Sequence, residues 1–435
     1  MTDQNKPSAS SVLRNYNFRM LWIGQGTSLL GDQFFMIALP WLVLKLTSDP
    51  LALGTILALI GVPRAIFMLL GGAFTDRYPA RLIMLVSDVL RLTLTVVLFI
   101  LILTGWLQLW FLYLLAVLFG VISGFFIPAS QAMMPLLVKP DELAISNSIY
   151  QGTTYLSGFV GPVLAGGMIA LFANQSTPQS SDELAGIAAA IAFDAFTYLG
   201  SVVTLYMMHW QDAVKPAVRA ARNILSSIRV GVTYLWDANL LRTLFILMVA
   251  ANFLFNRPVI MGIPVLADVR MAGSAAAYGT IMGAFGGGNL LGIVASNSLI
   301  QLLNRRLGAF MVAVIVSFGM GLGLLSIVSS MPAAIAIMLV MGAGNGVLSI
   351  ALITFLQRKT PKEMLGRVMS LVMLASLGLQ PISQALTGAA IKASLAGLFA
   401  GVGILMMIVT LWLAFQPATR TIHQVLTKSL ITSDD

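Results

Sequence analysis

The sequence predicts an all-α integral membrane protein with twelve transmembrane helices in two pseudo-symmetric six-helix bundles. Three observations carry that expectation. The first is composition: of 435 residues, 58% are hydrophobic and only 9% are charged. A soluble domain carries about a quarter charged residues, so the excess apolar surface here must face lipid. The second is segmentation into apolar runs long enough to cross a bilayer, which takes about 20 residues each. The third is internal repetition. Gly54-Thr55-Ile56 followed by Gly61 recurs as Gly279-Thr280-Ile281 followed by Gly286. Pro40 recurs as Pro264, Gly120 and Gly124 as Gly342 and Gly346, and Pro140-x-Glu142 as Pro361-x-Glu363. Four matches in one order and at near-constant spacing mark a duplicated unit. Membrane folds built from repeats place their site between them, near the bilayer midplane.

The elements follow in order. Met1–Asn17 is polar and lacks the short apolar core of a cleaved signal, so the first span is expected to stay in the protein. The first-half spans are read at 18–44, 51–74, 82–104, 107–128, 143–172 and 184–208. The second-half spans are read at 243–267, 275–300, 307–330, 332–357, 365–391 and 395–416. Several contain Gly and Pro, which membrane helices tolerate. The outer loop Ala173–Glu183 is polar and carries no ligand-binding signal.

Charge sets the orientation. With the N-terminus inside, the outer segments hold only Lys45, Arg270 and Lys392 among basic residues, while Arg77, Arg81, Lys139, Arg305, Arg306, Arg358, Lys359 and others fall inside. That is the positive-inside pattern, with both termini cytoplasmic. The domains are then a six-helix bundle at 1–208, a cytoplasmic linker at 209–242, a second bundle at 243–416 and a tail at 417–435. In the linker, Ile224, Ile228, Val232 and Leu235 recur at helical spacing beside Arg222 and Arg229, which reads as an amphipathic helix at the inner surface.

Several functions are excluded. There is no cysteine, and only His209 and His423 among histidines, so disulfides, thiolate sites and histidine metal clusters are not expected. The net charge of +9 is spread over short loops between spans, a topology signal rather than a nucleic-acid surface. Gly286, Gly287, Gly288 and Gly292 lack the Lys-Ser/Thr of a phosphate loop. No metal, cofactor or enzymatic constellation is identified.

Three segments carry a family resemblance. Gly72-Ala73-Phe74-Thr75-Asp76-Arg77-Tyr78-Pro79-Ala80-Arg81 resembles the loop 2–3 signature of the major facilitator superfamily. Gly158-Phe159-Val160-Gly161-Pro162-Val163-Leu164-Ala165-Gly166-Gly167 resembles that superfamily's antiporter signature. Pro361–Ser370 is similar to the macrolide-efflux and siderophore-exporter branch of drug/proton antiporters. The resemblance covers nearly the whole chain and implies the major facilitator fold. It implies that Asp76, Arg77 and Arg81 form a cytoplasmic gate with Gly366 and Arg367 at the start of span eleven. The chain departs from the pattern in span four, which has no basic residue; Arg91 in span three is a candidate substitute. The second-half loop copy, Asn304-Arg305-Arg306, has lost its Asp.

Ionisable residues inside the spans are costly unless paired or wet, and so mark mechanism. Asp32 lies midway along span one, Arg64 midway along span two and Asp194 midway along span six. Asp88 and Arg91 share a helix face in span three and read as a charge pair. Taking the Pro40/Pro264 match, Asn256, next to Arg257 in span seven, is the repeat counterpart of Asp32. Asp32 is the first candidate for proton coupling or substrate contact; the alternative is a permanent Asp32–Arg64 pair. Asp194 either joins it or hydrogen-bonds a neighbour such as Tyr198. Phe34 and Phe255, beside these positions, are candidate pocket aromatics. In span five, Gly161-Pro162 and Gly166-Gly167 suit a bent, closely packed helix.

The function expected is export of a small drug-like molecule or metabolite by alternating access, driven by protons, from a bacterial inner membrane. The partners are the substrate, protons and lipid, with no nucleic acid, and the protein is expected to be a monomer. Siderophore or lysophospholipid transport and a non-transporting membrane receptor are the alternatives.

Overall fold

The computed structural model describes residues 8–75, 77–172, 180–209, 232–271, 274–302, 307–361, 364, 368, 371–372, 376 and 379–415. Among them all regular structure is helical. The short helix α1 (Ala9–Arg14) precedes α2 (Tyr16–Thr47), α3 (Pro50–Thr75), α4 (Ala80–Leu103), α5 (Leu109–Leu137), α6 (Leu143–Phe172) and α7 (Ser180–Met207). The second half holds α8 (Asn239–Ala250), a π-helical turn (Ala251–Asn256) and α9 (Arg257–Arg270). After these come α10 (Ala275–Leu302), α11 (Leu307–Leu325), α12 (Met331–Lys359), α13 (Gln380–Ala393) and α14 (Leu395–Phe415).

Ten of the described helical segments are long and apolar enough to cross a membrane, and Ala309–Leu325 is a shorter apolar helix. The remaining expected span, 365–391, lies largely outside the described residues; α13 covers its second part. Three expected boundaries move. Span four runs on to Leu137, because Pro128 and Pro135 are accommodated inside α5. Span nine ends at Leu325. Span seven is one continuous rod from Leu241 to Arg270, but the π turn divides it. Most of the expected amphipathic linker helix lies outside the described residues.

Local chemistry explains the helix ends. The Asn15 side chain accepts from the amide of Phe18 and starts α2. Ser48, in the left-handed region at φ 49°, ends it. Asp49 then accepts from the Leu51 amide at 3.0 Å, just before Pro50, a residue suited to the first helical turn. That amide and the Lys392 ammonium hold the Asp49 carboxyl below the ordinary carboxylate range.

The chain forms two compact units. The first comprises Met1–Ser48, Leu59–Val218 and Ser274–Gly283. In it α2 packs against α6 and α7, and α4 against α5 and α7. The second comprises Asp49–Ala58, Arg219–Gly273 and Ala284–Asp435. There α11 packs against α12 and α14, and α13 against α9 and α14. Each unit therefore takes in a short segment from the other half of the sequence.

Candidate functional site: a charged cluster and cavity in the first unit

Polar residues recur on single faces of the first unit's helices. Gln25, Ser28 and Asp32 share a face of α2; Asp194, Tyr198 and Ser201 share a face of α7. The two helices approach closely at Gly31, where an added Cβ would collide with Thr197 and lie 2.7 Å from Asp194 Oδ1. A larger residue there would push α7 away and pull the two carboxylates apart.

Arg91 sits at the centre of the cluster. It is only 6% exposed, and Asp88 and Asp194 are 0% exposed. Its guanidinium donates to Ser123 Oγ of α5 at 3.1 Å and lies over the Phe126 ring at 4.1 Å. It approaches Asp88 Oδ1 at 3.9 Å and interacts electrostatically with Asp32, Asp88 and Asp194. Asp88 also accepts from Ser201 Oγ at 2.7 Å, and Gln25 donates to that same oxygen at 3.4 Å. Tyr198 donates its hydroxyl to Asp32 Oδ1 at 2.7 Å. Both Asp194 side-chain oxygens are buried with no hydrogen-bond partner among the described residues.

These contacts revise the pairings expected from sequence. Tyr198 bonds Asp32 rather than Asp194, because its ring crosses to the α2 face. The short partner of Asp32 is that hydroxyl rather than Arg64. The Asp88–Arg91 pair exists, but it is long, and Asp88 is held more closely by Ser201.

The cluster opens on a cavity of about 560 Å³, bordered by residues of α2, α3, α4, α5 and α6. Asp32, Arg64 and Arg91 are on its wall, with Gln25, Ser123, Phe126, Gln131, Asn147, Tyr150 and Gln151 among the other lining residues. Asn147, Tyr150 and Gln151 share a face of α6. These carboxamides were not among the residues expected from sequence, although a polar side chain in an apolar run is itself a signal.

The expected pocket aromatics lie elsewhere. Phe34 is buried against Phe193, with ring centroids 4.3 Å apart. Phe255 is fully buried in a near-parallel stack on Phe318 at 4.2 Å. Both are core, buried in ring-on-ring contacts. Phe126 and Tyr150 are aromatic residues that do reach the cavity.

In the second unit, Asn256 ends the π turn and donates to Asn252 Oδ1 at 3.4 Å. Ser383 of α13 donates to the carbonyl of Phe253 inside the turn at 2.7 Å. Arg257 begins α9 and is half-buried. A π turn widens the helix and presents its carbonyls sideways, and such turns are frequent at functional sites.

Of the expected gate, Asp76, Gly366 and Arg367 lie outside the described residues. Arg77 is exposed, and a Cβ on Gly72 would meet nothing within 4 Å. Arg81 donates to the carbonyls of Leu205 and Tyr206 at 2.7 and 2.8 Å, at the end of α7. In the span-five motif, Gly161 packs on Gln33 and Gly166 crosses α10 at Gly279, where an added Cβ would lie 2.8 Å from the Gly279 Cα. Pro162 offers its carbonyl to the same crossing. Gly158 and Gly167 face open space. Among the described residues, no group of His, Cys, Asp or Glu side chains is placed to hold a metal ion.

Long apolar helices around a buried charge cluster and a cavity that charged side chains reach define a multi-pass membrane transporter. The sequence model of the Major Facilitator Superfamily matches residues 21–379, and the chain belongs to that superfamily. It is 23% identical over 399 residues to the multidrug efflux pump Tap of Mycolicibacterium fortuitum, covering 90% of this chain and 93% of that one. It is 24% identical over 392 residues to the enterobactin exporter EntS of Escherichia coli, covering 89% and 86%. Its fold resembles that of the nucleoside transporter NupG, with a TM-score of 0.66 at 12% identity over 93% of this chain and 98% of that one. It also resembles a bacterial homologue of the iron transporter ferroportin, with a TM-score of 0.67 at 18% identity over 93% and 99%. With transporters as its relatives, the protein is not an enzyme.

Proposed function

We propose that this protein exports a small drug-like molecule or metabolite across a bacterial inner membrane by alternating access, in exchange for protons. Both termini lie in the cytoplasm on this reading, and the two six-helix halves, 1–208 and 243–416, are the moving parts. The observation that carries it is the cluster around Arg91, in which one buried guanidinium serves Asp32, Asp88 and Asp194 beside a cavity lined by both polar and apolar side chains.

Buried charges in a membrane are retained where they mark ion or substrate pathways. Asp32 reaches the cavity and is held by Tyr198, so its carboxylate can exchange a proton with water there and return to the hydroxyl. Arg91 takes the place of the basic residue missing from span four, because its contact with Ser123 delivers the charge to that helix. A receptor that transports nothing would have a filled interior between its span charges; the cavity counts against that.

In inverted vesicles loaded by a proton gradient, Asp32→Asn is expected to abolish gradient-driven uptake while leaving binding of the same solute measurable. Uptake with an unchanged pH dependence would remove Asp32 from coupling. A second reading, a siderophore as cargo, is favoured by the similarity to the enterobactin exporter.

A further inference from the structure

Pro40 lies inside α2. Proline has no amide to give, so the carbonyl of Met36, one turn back, loses its partner within the helix. The Tyr278 hydroxyl, near the start of α10, donates to that carbonyl at 3.3 Å. The Tyr278 ring also stacks on Trp41 of α2, with centroids 6.2 Å and planes 20° apart. Both rings are fully buried, and residues 274–283 belong to the same compact unit as α2. Lys45, one turn beyond Trp41, lies over the indole at 4.9 Å and pairs with Glu183 of α7 at 3.0 Å. On the orientation proposed above, this is the outer end of the unit.

The indole N–H of Trp41 is buried with no acceptor among the described residues. A buried donor left in that condition is costly, and folded proteins hold few of them. Docking 274–283 on α2 therefore satisfies one group of that helix and strands another. Undocking exchanges the Tyr278 bond for water and uncovers the indole, which gains the acceptor it lacks. The docked state is held, but loosely enough to be left in every cycle. The sequence repeat does not duplicate the arrangement: Pro264 matches Pro40, but the residue matching Tyr278 is Leu53, which has no hydroxyl.

We propose that the Tyr278 hydroxyl is a latch. Seated on the carbonyl that Pro40 frees, it holds residues 274–283 against α2 in one state of the transport cycle and releases them in the other. The proposal rests on the alternating-access reading above and gives it one named contact.

The chain has no cysteine, so a single thiol placed on the segment reports undocking. Ala277 is 2% exposed. In the purified full-length Ala277→Cys protein, the rate of labelling by a maleimide follows the undocked population. Tyr278→Phe keeps the ring and removes only the donor. It is expected to speed labelling by about threefold to tenfold, the scale of one hydrogen bond. Pro40→Ala returns an amide to the Met36 carbonyl, so losing the hydroxyl no longer strands that oxygen. In that background Tyr278→Phe is expected to have less than half its effect on a logarithmic scale, the non-additivity of two groups sharing one partner. A thiol at Ala129, which is fully buried in α5, should label no faster in Tyr278→Phe, since only the segment is released.

An unchanged rate in Tyr278→Phe overturns the latch. The same acceleration with and without Pro40, or equal acceleration at Ala129, means general loosening and overturns it too. The labelling needs no gradient and no solute, so it stands apart from the transport reading. A latch that behaves as expected in a protein whose thiol at Ala277 labels equally fast with and without an imposed proton gradient in vesicles keeps the contact and sinks proton-driven alternating access.

Discussion

At the scale of the residue, Arg81 shows how one side chain can carry a family pattern and a local structural duty together. Its resemblance-derived place is a cytoplasmic gate, yet in the structure its Nε and Nη2 donate to two carbonyls at the end of α7. A helix end leaves four carbonyls without partners, and a cation there also meets the negative end of the helix dipole. Charge-assisted hydrogen bonds of this kind are worth about 1.5–3 kcal/mol. Arg81→Ala is therefore expected to lower thermal stability in detergent by about that amount, with Arg81→Lys recovering part of it, because lysine keeps the charge but not the fork. If stability is untouched and only transport falls, the capping role is wrong and the gate role stands alone. At this scale the sequence was partly legible. Asp32, Asp88, Arg91 and Asp194 stand out because a charge in an apolar run is rare. Which oxygen meets which donor was not legible: Tyr198 and Asp32 are 166 positions apart, and no local pattern specifies a contact made by two separate helices.

At the scale of the element, the decisive contacts are made by absent side chains. Gly166 of α6 and Gly279 of α10 cross with so little room that a Cβ on either would collide with backbone of the other, and backbone cannot rotate aside. Gly54 of α3 and Gly388 of α13 cross in the same way, a Cβ on either lying 3.0 Å from the Cα of the other. Gly54 and Gly279 are the repeat-matched glycines, so duplication preserved a crossing point as well as a sequence. Gly167, one residue along, faces open space. Gly279, at the crossing, and Gly167, beside it, should thus respond oppositely. Gly279→Ala is expected to destabilise by about 1–3 kcal/mol as an overpacking substitution. Gly167→Ala is expected to be neutral or to stabilise by up to about 1 kcal/mol, because alanine loses less entropy in a helix. Paired melting curves decide it, and equal effects at both positions would refute the crossing. The element scale also explains two misses. The π turn at Ala251–Asn256 holds no Gly or Pro itself; its sequence signal is Pro258, two residues on, which lacks the amide that would bond the Leu254 carbonyl, and Ser383 ties the turn to α13. Phe34 and Phe255 were misplaced because each was read from the polar residue beside it in sequence, and neighbouring positions on a helix point to different faces.

At the scale of the whole molecule, the sequence repeat divides the chain into consecutive halves, whereas compactness assigns two short segments otherwise. Residues 49–58 belong to the second unit and 274–283 to the first. These segments carry the two copies of Gly-Thr-Ile, so the exchange follows the duplication. If the halves move as bodies during transport, each exchanged segment must leave the unit that holds it. For 49–58 that means parting α3 from α13 at the Gly54–Gly388 crossing and breaking the Asp49–Lys392 ion pair, which is 3.1 Å long. The pair is solvent-exposed and worth about 0–1 kcal/mol, little enough to be broken in each cycle. The chain contains no cysteine, so a double variant, Asp49→Cys with Lys392→Cys, introduces the only two thiols. Joining them with a short bis-maleimide is expected to stop transport in vesicles, while the unlinked double variant and each single variant retain most of it. Solute binding to the linked protein should persist, since the cavity belongs wholly to the first unit and needs neither residue. Transport continuing at the unlinked rate would mean that α3 and α13 stay together throughout the cycle, and that the halves read from the repeat are not the bodies that move.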